Sequence, residues 1–414
     1  MIGDPSTSSS LAEGESETAH LIALCSLPGL GPATLLRCHQ GLGAAAAWAA
    51  IVAGNLRRVP ELAPLLARMP ELVRTRLVAA AQLIDPAEEL ARHRAGALEV
   101  LVLGDEHYPA RLANDPAAPA LLFAAGHLAA LDAPSVAIVG TRNATRLGLE
   151  FASRLGSELS DAGVSVVSGL ALGIDGAAHR GALGDCGSGH VGQVSQPPEE
   201  LSLEDAISGR PVGVIASGLD ITYPRRHAAL HAQVANAGLL LSETPLGVRP
   251  TAWRFPARNR IIAGLSDAVV VVESRSAGGS MLTAGEALER GVPVLAVPGH
   301  PAAPAASGAN DLIFDGAGIV RSVEDVLEVI GISRPVPEVH RLSAERFGRE
   351  HRLVLEVIGQ LPAALPEIVE RSGLSLEEAS EVLVHLELSG TVVRSAGWFQ
   401  RSSGHAGAPR GRVR

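Results

Sequence analysis

Arg254, Arg258 and Arg260 crowd Asn259 in the stretch RFPARNRIIAGLSDAVVVVE. A guanidinium is planar and stays charged. It grips a phosphate through two parallel hydrogen bonds or stacks on a base. The chain has no lysine, so all 34 of its basic positions are arginine. A short apolar turn after Arg260 leads into the run Ala268–Val272, ending at Glu273, which reads as a strand buried on both faces. Arginines at the edge of such a strand make an anion site, and the ligand they first suggest is a nucleic-acid strand.

Other segments have the same character. Gly140, Thr141, Arg142 and Asn143 follow the apolar run Val136–Val139 and precede a helix starting near Arg146. Strand, tight loop and helix start is how backbone N–H groups are aimed at a phosphate. Ser168 and Gly169 open a glycine-rich run that reaches Asp175 and His179, four apart on one helix face. The plainer readings there are an N-cap for Asp175 and a satisfied buried histidine for His179. Tyr223, one of 2 tyrosines, sits beside Arg225 and Arg226, a grouping suited to stacking a base and holding adjoining phosphates. Ser242 and Glu243 follow another apolar run, and Gly278, Gly279 and Ser280 enter a helix that carries Thr283. The plain alternative for Arg260 is an ion pair with Glu243 or Glu273. Most of these segments lie just past a strand end, which points to one continuous groove.

Those strand ends need a scaffold. Leu98–Leu103, Val136–Val139, Val164–Val167, Val212–Ile215, Gly238–Leu241, Ala268–Val272 and Val292–Val297 read as strands. Helical patterns such as Leu147–Ala162 and Thr283–Arg290 separate them. This alternation predicts an α/β fold with a parallel sheet covered on both faces, whose ligands bind beyond the carboxyl ends of the strands. Residues 98–329 form this domain. Before it, 19–94 is alanine-rich and helical, cut into short helices by Pro28, Pro60, Pro70 and Pro86. Residues 1–18 read as a disordered tail, 330–344 as a linker and 402–414 as a second loose tail. Residues 345–401 read as three helices and two strands, a helix-turn-helix with a wing, in which Ser375 caps the third helix.

Composition narrows the choice of function. The formal net charge is −10, so any nucleic-acid site must be a local arginine patch on an acidic protein. Cys25, Cys38 and Cys186 have no metal-ligand spacing, and their odd number fits a reducing cytoplasm. Neither a cofactor nor a metal is expected. The start lacks a basic, then apolar signal segment, and no apolar run is long enough to span a membrane. Without lysine there is no Walker loop, and no Gly-x-Ser-x-Gly elbow occurs.

The segments VAIVGTRNATRLG, VVSGLALGIDGAAHRGAL, SGLDITYP, LLSETPLG, RFPARNRIIAGLSDAVVVVE, SAGGSMLTAGEALERG, VPVLAVPG and GANDLIFDGA, in this order across Leu98–Val329, resemble the DNA-processing protein A (DprA/Smf) family. The resemblance implies an extended Rossmann-like domain that binds single-stranded DNA and helps load the RecA recombinase, in homodimers that support natural transformation. It implies a DNA loop at Gly140, Thr141 and Arg142 and an aromatic-basic loop at Tyr223, Arg225 and Arg226. The remaining groove falls on Ser242, Glu243, Arg258, Asn259 and Arg260. The chain departs from the family at an insertion, Gly184–Arg210, rich in Gly, Ser and Pro, and at Leu172, which carries no charge. The C-terminal part resembles the winged-helix domain of some members. Its third helix, Leu376–Ser389, holds Glu377, Glu378, Glu381 and Glu387 and no arginine, so it is expected to contact protein rather than DNA. Leu27–Thr34 (LPGLGPAT) looks like a helix-hairpin-helix turn, with a structural SAM-like role as its alternative. Gly41-Leu42-Gly43 superficially fits a dinucleotide fingerprint but follows no strand.

Two other functions compete with a non-enzymatic DNA chaperone. One is an enzyme acting on nucleotides, because Gly278–Glu286 is loosely similar to the phosphoribohydrolase loop of cytokinin-activating proteins. The other is an adaptor that keeps the fold and works through RecA alone.

Overall fold

Six helices come first in the computed structural model: α1 (Glu13–Ser26), α2 (Pro32–Gln40), α3 (Ala44–Val52), α4 (Ala63–Leu66), α5 (Glu71–Ala81) and α6 (Pro86–Ala95). The structure describes residues 13–184, 209–332, 348–359, 362–388, 391–395 and 397–401. Cys186, most of the Gly184–Arg210 insertion, residues 333–344 of the expected linker, the first three residues (345–347) of the expected winged-helix unit, and 402–414 lie outside them. The expected disordered tail is corrected over 13–18, which belong to α1. Their acidic character has a structural use: the Glu17 carboxylate accepts the Ala44 and Ala45 N–H groups at the start of α3, at 2.6 and 3.2 Å.

The apolar runs then pair into a single sheet. Its strands are β1 (Glu99–Val102), β2 (Leu121–Gly126), β3 (Ser135–Val139), β4 (Ser165–Ser168), β5 (Pro211–Val214), β6 (Leu239–Ser242), β7 (Ala268–Val271), β8 (Val294–Ala296) and β9 (Gly318–Ile319). They lie in the order β1-β2-β6-β5-β4-β3-β7-β8-β9. Neighbours from β6 to β9 are parallel, whereas β2 runs antiparallel to β6 and β1 antiparallel to β2. Strand β2 and the short edge strand β9 were not expected from sequence.

Helices follow the strands: α7 (Ala110–Ala113), α8 (Arg146–Asp161), α9 (Ile174–Ala182), α10 (Ala228–Ala237), α11 (Arg254–Leu265), α12 (Gly279–Glu289), α13 (Ser307–Phe314) and α14 (Val323–Val329). Alternate strand residues serve opposite faces. Ala137, Val139, Val269 and Val271 pack with Ile261, Ile262 and Leu265 of α11 and Ala284 and Ala287 of α12. Val136, Ile138, Ala268 and Val270 pack on the other side with Ala152, Leu155 and Leu159 of α8. Each fully buried Val, Ile or Leu contributes about 1.5–3 kcal/mol. Helices on both faces explain why β3 and β7 read as unbroken apolar runs.

The described residues fall into two compact units, 13–332 and 348–401. The six N-terminal helices do not stand apart from the sheet. Leu21, Leu24, Ile51 and Leu77 share a core with Val102, Leu121 and Phe123 of β1 and β2. The second unit has α15 (Arg349–Ile358), β10 (Ala363–Ala364), α16 (Leu365–Ser372), α17 (Leu376–Leu388), β11 (Val392–Ser395) and β12 (Trp398–Arg401), with sheet order β10-β12-β11. Gly373, in the left-handed region at φ 69°, ends α16. Ser375 and Glu378 cap α17 reciprocally: Ser375 Oγ accepts the Glu378 N–H, and the Glu378 carboxylate accepts the Ser375 N–H.

Candidate nucleic-acid interface

Loops leave the carboxyl ends of adjacent parallel strands and meet around one pocket. Its lining includes Arg142 after β3, Gly169, Ala171 and Leu172 after β4, and Ile215, Ala216, Ser217, Tyr223 and Pro224 after β5. Pro250 comes from the loop after β6, and Phe255 and Arg258 come from α11. Parallel strands aim these loops to the same side, so residues far apart in sequence become neighbours. Arg142 is exposed, and its guanidinium carbon lies 5.3 Å from the centre of the Phe255 ring. The Phe255 ring is tilted against Tyr223 with centroids 5.4 Å apart, and Tyr223 remains 44% exposed. A charged, planar group and two aromatic rings thus share one wall. Arg225 and Arg226 follow on an exposed turn and form no ion pair among the described residues.

The arginine-rich segment that dominates the sequence is placed differently. Its residues lie on α11, not ahead of a short turn. Arg258, Ile261, Ile262 and Leu265 are all buried, an apolar-type stripe at helical spacing. Arg258 donates to the Gly169 carbonyl at 3.1 Å and to the Val214 carbonyl, tying together the ends of β4 and β5. The absence of a side chain at Gly169 makes room for this approach, because a Cβ would meet the Arg258 guanidinium at about 2.5 Å and displace it. Asp175 lies buried nearby and accepts the Gly169 N–H at 3.1 Å. Burial raises the Asp175 carboxyl above its ordinary value and lowers Arg258 to about 10, and each charge partly offsets the other's shift. Asp175 is the second residue of α9, and Gly173, at φ 80°, takes the N-cap position instead. Asn259 stays beside Arg258 and accepts from its Nε at 3.4 Å.

Arg260 takes the plain alternative. Its Nη2 lies 2.6 Å from Glu243 Oε2, and the two side chains are only 11% and 10% exposed. Neither is available to a strand in the groove. Ser168 donates to the Ile138 carbonyl, Ser242 to the Ser217 carbonyl, and Ser280 to Ser274 Oγ, all within the interior. These three serines, read as groove residues, are corrected to internal fasteners. Gly279 is exposed but outside the pocket lining.

Helix starts also require correction. Gly140, Thr141 and Arg142 precede α8, yet that helix start is already occupied. Glu273 accepts the Thr145 N–H at 2.9 Å and the Thr145 hydroxyl at 2.6 Å, so its carboxylate neutralises the end of the helix. Gly140 and Thr141 therefore set the course of the loop, with Thr141 N–H donating to the Glu273 carbonyl at 2.7 Å, and Arg142 supplies the charge.

Sequence reasoning assigned no contact to Phe255, although it lay in the stretch singled out. It also missed two histidines that hold the loops. His227 Nδ1 lies 3.0 Å from the Leu170 carbonyl, and His231 Nε2 lies 3.3 Å from the Tyr223 carbonyl. Burial lowers the His231 pKa. His179 is buried with Nε2 3.2 Å from the Val212 carbonyl, and burial lowers its pKa to about 3. The plain reading holds for its burial but not for full satisfaction, since its Nδ1 is buried with no hydrogen-bond partner among the described residues. Glu286, the acid of the alternative enzyme loop, lies 2.6 Å from Arg290, which also binds Asp115. Among the described residues no group of side chains could hold a metal ion, and no helix is long and apolar enough to cross a membrane.

The whole sheet region from β1 to just beyond α14, residues 99–331, matches the family described as DNA recombination-mediator protein A. The chain belongs to this family. Residues 343–397 match its winged-helix domain. The DNA processing protein DprA of Bacillus subtilis is 38% identical over 240 residues, covering 58% of this chain and 73% of the relative. The protein Smf of Synechocystis is 29% identical over 426 residues, covering 93% and 99%. Among solved structures, DNA processing protein A from Streptococcus pneumoniae superposes with a TM-score of 0.59 at 30% identity, covering 75% of this chain and 97% of that one. Membership and fold confirm the resemblance carried by the strand-end segments.

Proposed function

We propose that the pocket rim binds single-stranded DNA, protects it and delivers it to RecA for recombination, as in natural transformation. The observation that carries this reading is the meeting of Arg142, Tyr223 and Phe255, from three separate crossovers, on one open wall. A flexible strand can lay a base against the two rings while Arg142, Arg225 and Arg226 hold phosphates. Duplex DNA, whose bases are stacked away, cannot use that wall in the same way. Sequence preference is weak, since every base has a face to stack. Affinity falls steeply with salt.

Titration of a fluorescent oligo-dT against the protein and its Arg142→Ala/Tyr223→Ala variant tests the DNA reading. The variant binds about thirtyfold more weakly, from one charge-assisted and one stacking contact, while its thermal melt stays unchanged; wild-type affinity would refute the reading. Delivery to RecA is tested by capture of RecA on oligo-coated beads with and without this protein. For self-association, the supporting feature is the far edge of the sheet. There Phe314 is 91% exposed and Ile319 49% exposed, beside the two-residue edge strand β9. Phe314→Glu converts a homodimer to a monomer in light scattering; an unchanged mass would discard this face.

A further inference from the structure

The exposed rim continues past Phe255. Trp253 is 50% exposed, with the Arg254 guanidinium carbon 4.6 Å from its ring centre. Arg254 Nη1 donates to Thr244 Oγ1 at 3.1 Å, while its Nε is buried with no partner among the described residues. The neighbouring Glu243 carbonyl accepts from Cys25 Sγ at 3.4 Å. Cys25 lies in the last turn of α1, so the segment Leu27–Gly31 that follows it begins beside this part of the rim.

In that segment the N–H groups of Gly29, Leu30 and Gly31 donate to no group among the described residues. The turn packs on α5 and the residues before it: a Cβ at Gly29 would lie 3.2 Å from Met69 and 3.9 Å from Val73. Arg68 adjoins Met69, and Arg76 lies one helical turn beyond Val73. Both arginines are exposed and neither has an ion-pair partner among the described residues. Arg74, between them, is already engaged by Leu66, Met69 and Glu71. The start of α3 provides the contrast, because the Glu17 carboxylate closes it to any other anion. Charge is segregated as well. From Thr18 to Pro70 the chain carries Arg37, Arg57, Arg58 and Arg68 against Glu61 alone, in a protein of net charge −10.

We propose that Leu27–Gly31 with Arg68 and Arg76 forms a second phosphodiester-binding surface, and that Trp253 stacks a base between it and the pocket. A strand leaving the pocket then crosses Trp253 and runs onto the helical part of the unit. This inference rests on the reading of the pocket as a single-strand site. It adds direction and length: short oligonucleotides fill the pocket alone, and longer ones reach the arginines.

Fluorescence anisotropy with oligo-dT of about five and about fifteen nucleotides tests it, within the usual span of single-strand sites. For Arg68→Ala/Arg76→Ala, affinity for the longer probe falls about tenfold. Its salt slope drops by about 1.4, at roughly 0.7 per phosphate contact on single strands. Affinity for the shorter probe is unchanged, which also shows that the variant is folded. Arg68→Lys/Arg76→Lys restores the slope, and Trp253→Ala weakens only the longer probe. Equal affinity and slope for the longer probe in the wild type and the double alanine variant would overturn the proposal. Arg142→Ala reports separately on the pocket: if it weakens neither probe, the single-strand reading of the pocket fails, whatever the outcome at Arg68 and Arg76.

Discussion

The loop after β3 and the first turns of α11 both bring arginine to the carboxyl edge of the sheet, with opposite results. Arg142 ends on the surface against Phe255. Arg258 and Arg260, in the segment richest in arginine, point into the protein and are held by carbonyl groups and by Glu243. A loop of few residues leaves its side chain no interior to enter. A helix laid across the sheet must bury one face, and Arg258 occupies the face shared with Ile261, Ile262 and Leu265. The density of charge in a sequence therefore says little about its exposure; the phase of the helix decides it. The buried arginines fix strand ends, and the exposed one is left free to meet a ligand.

Mutations should separate these two roles. Arg258→Ala has the largest expected effect. It leaves Asp175 buried without its countercharge and frees two carbonyls, a loss of about 4 kcal/mol of stability in urea unfolding. Binding is lost with the fold. Arg260→Ala strands the Glu243 carboxylate and costs about 3 kcal/mol, while DNA affinity of the folded fraction is kept. Selective loss of DNA affinity in Arg260→Ala, at wild-type stability, would erase the distinction. On the exposed side, Arg142→Ala/Tyr223→Ala loses about thirtyfold in affinity for oligo-dT, from one charge-assisted contact and one stacking contact, with an unchanged melting temperature.

Acid also acts on the interior, through its buried histidines. Burial lowers the pKa of His179 to about 3 and also lowers those of His93 and His231. The folded state therefore resists protons that the unfolded chain accepts near the ordinary value of about 6.5. The contribution of these neutral histidines is complete above that value and is lost as pH falls from it toward the folded values. Each group costs about 1.4 kcal/mol per pH unit across that window. Urea midpoints at pH 7 and pH 5 measure the loss, and His179→Leu should flatten the dependence.

Much of this was legible in the sequence. Short apolar runs separated by helical patterns could only be strands covered on both faces, and loops at the same ends of parallel strands must converge. Strand β2 was hidden because LLFAAG lacks alternation and is neither long nor β-branched. The helical phase of Arg258, Ile261, Ile262 and Leu265 was present in the sequence, but Pro256 and the crowded charges obscured it. Nothing local could show that Glu273, at the end of a neighbouring strand, would close the start of α8, or that His227 and His231 would hold loops from two crossovers. Those contacts exist only after the sheet has assembled.

The second unit extends the same contrast to a whole domain and gives the smallest expected effect. A helix-turn-helix with a wing has the shape of a duplex reader, yet shape supplies no attraction to phosphate. In α17 the exposed positions include Glu377, Glu381 and Val384, and the helix has no arginine. Two carboxylates facing a phosphate backbone repel it, and the exposed Leu376 and Val384 offer apolar contact instead. Such a surface suits a basic protein partner. Truncation after Ile332 should therefore change affinity for oligo-dT by less than about twofold, because the phosphate contacts that set the salt slope stay in the first unit. A sharp loss on truncation would mean that this unit touches DNA through residues other than α17. The comparison between bare arginines on the sheet rim and bare glutamates on the third helix would then no longer divide DNA contact from protein contact.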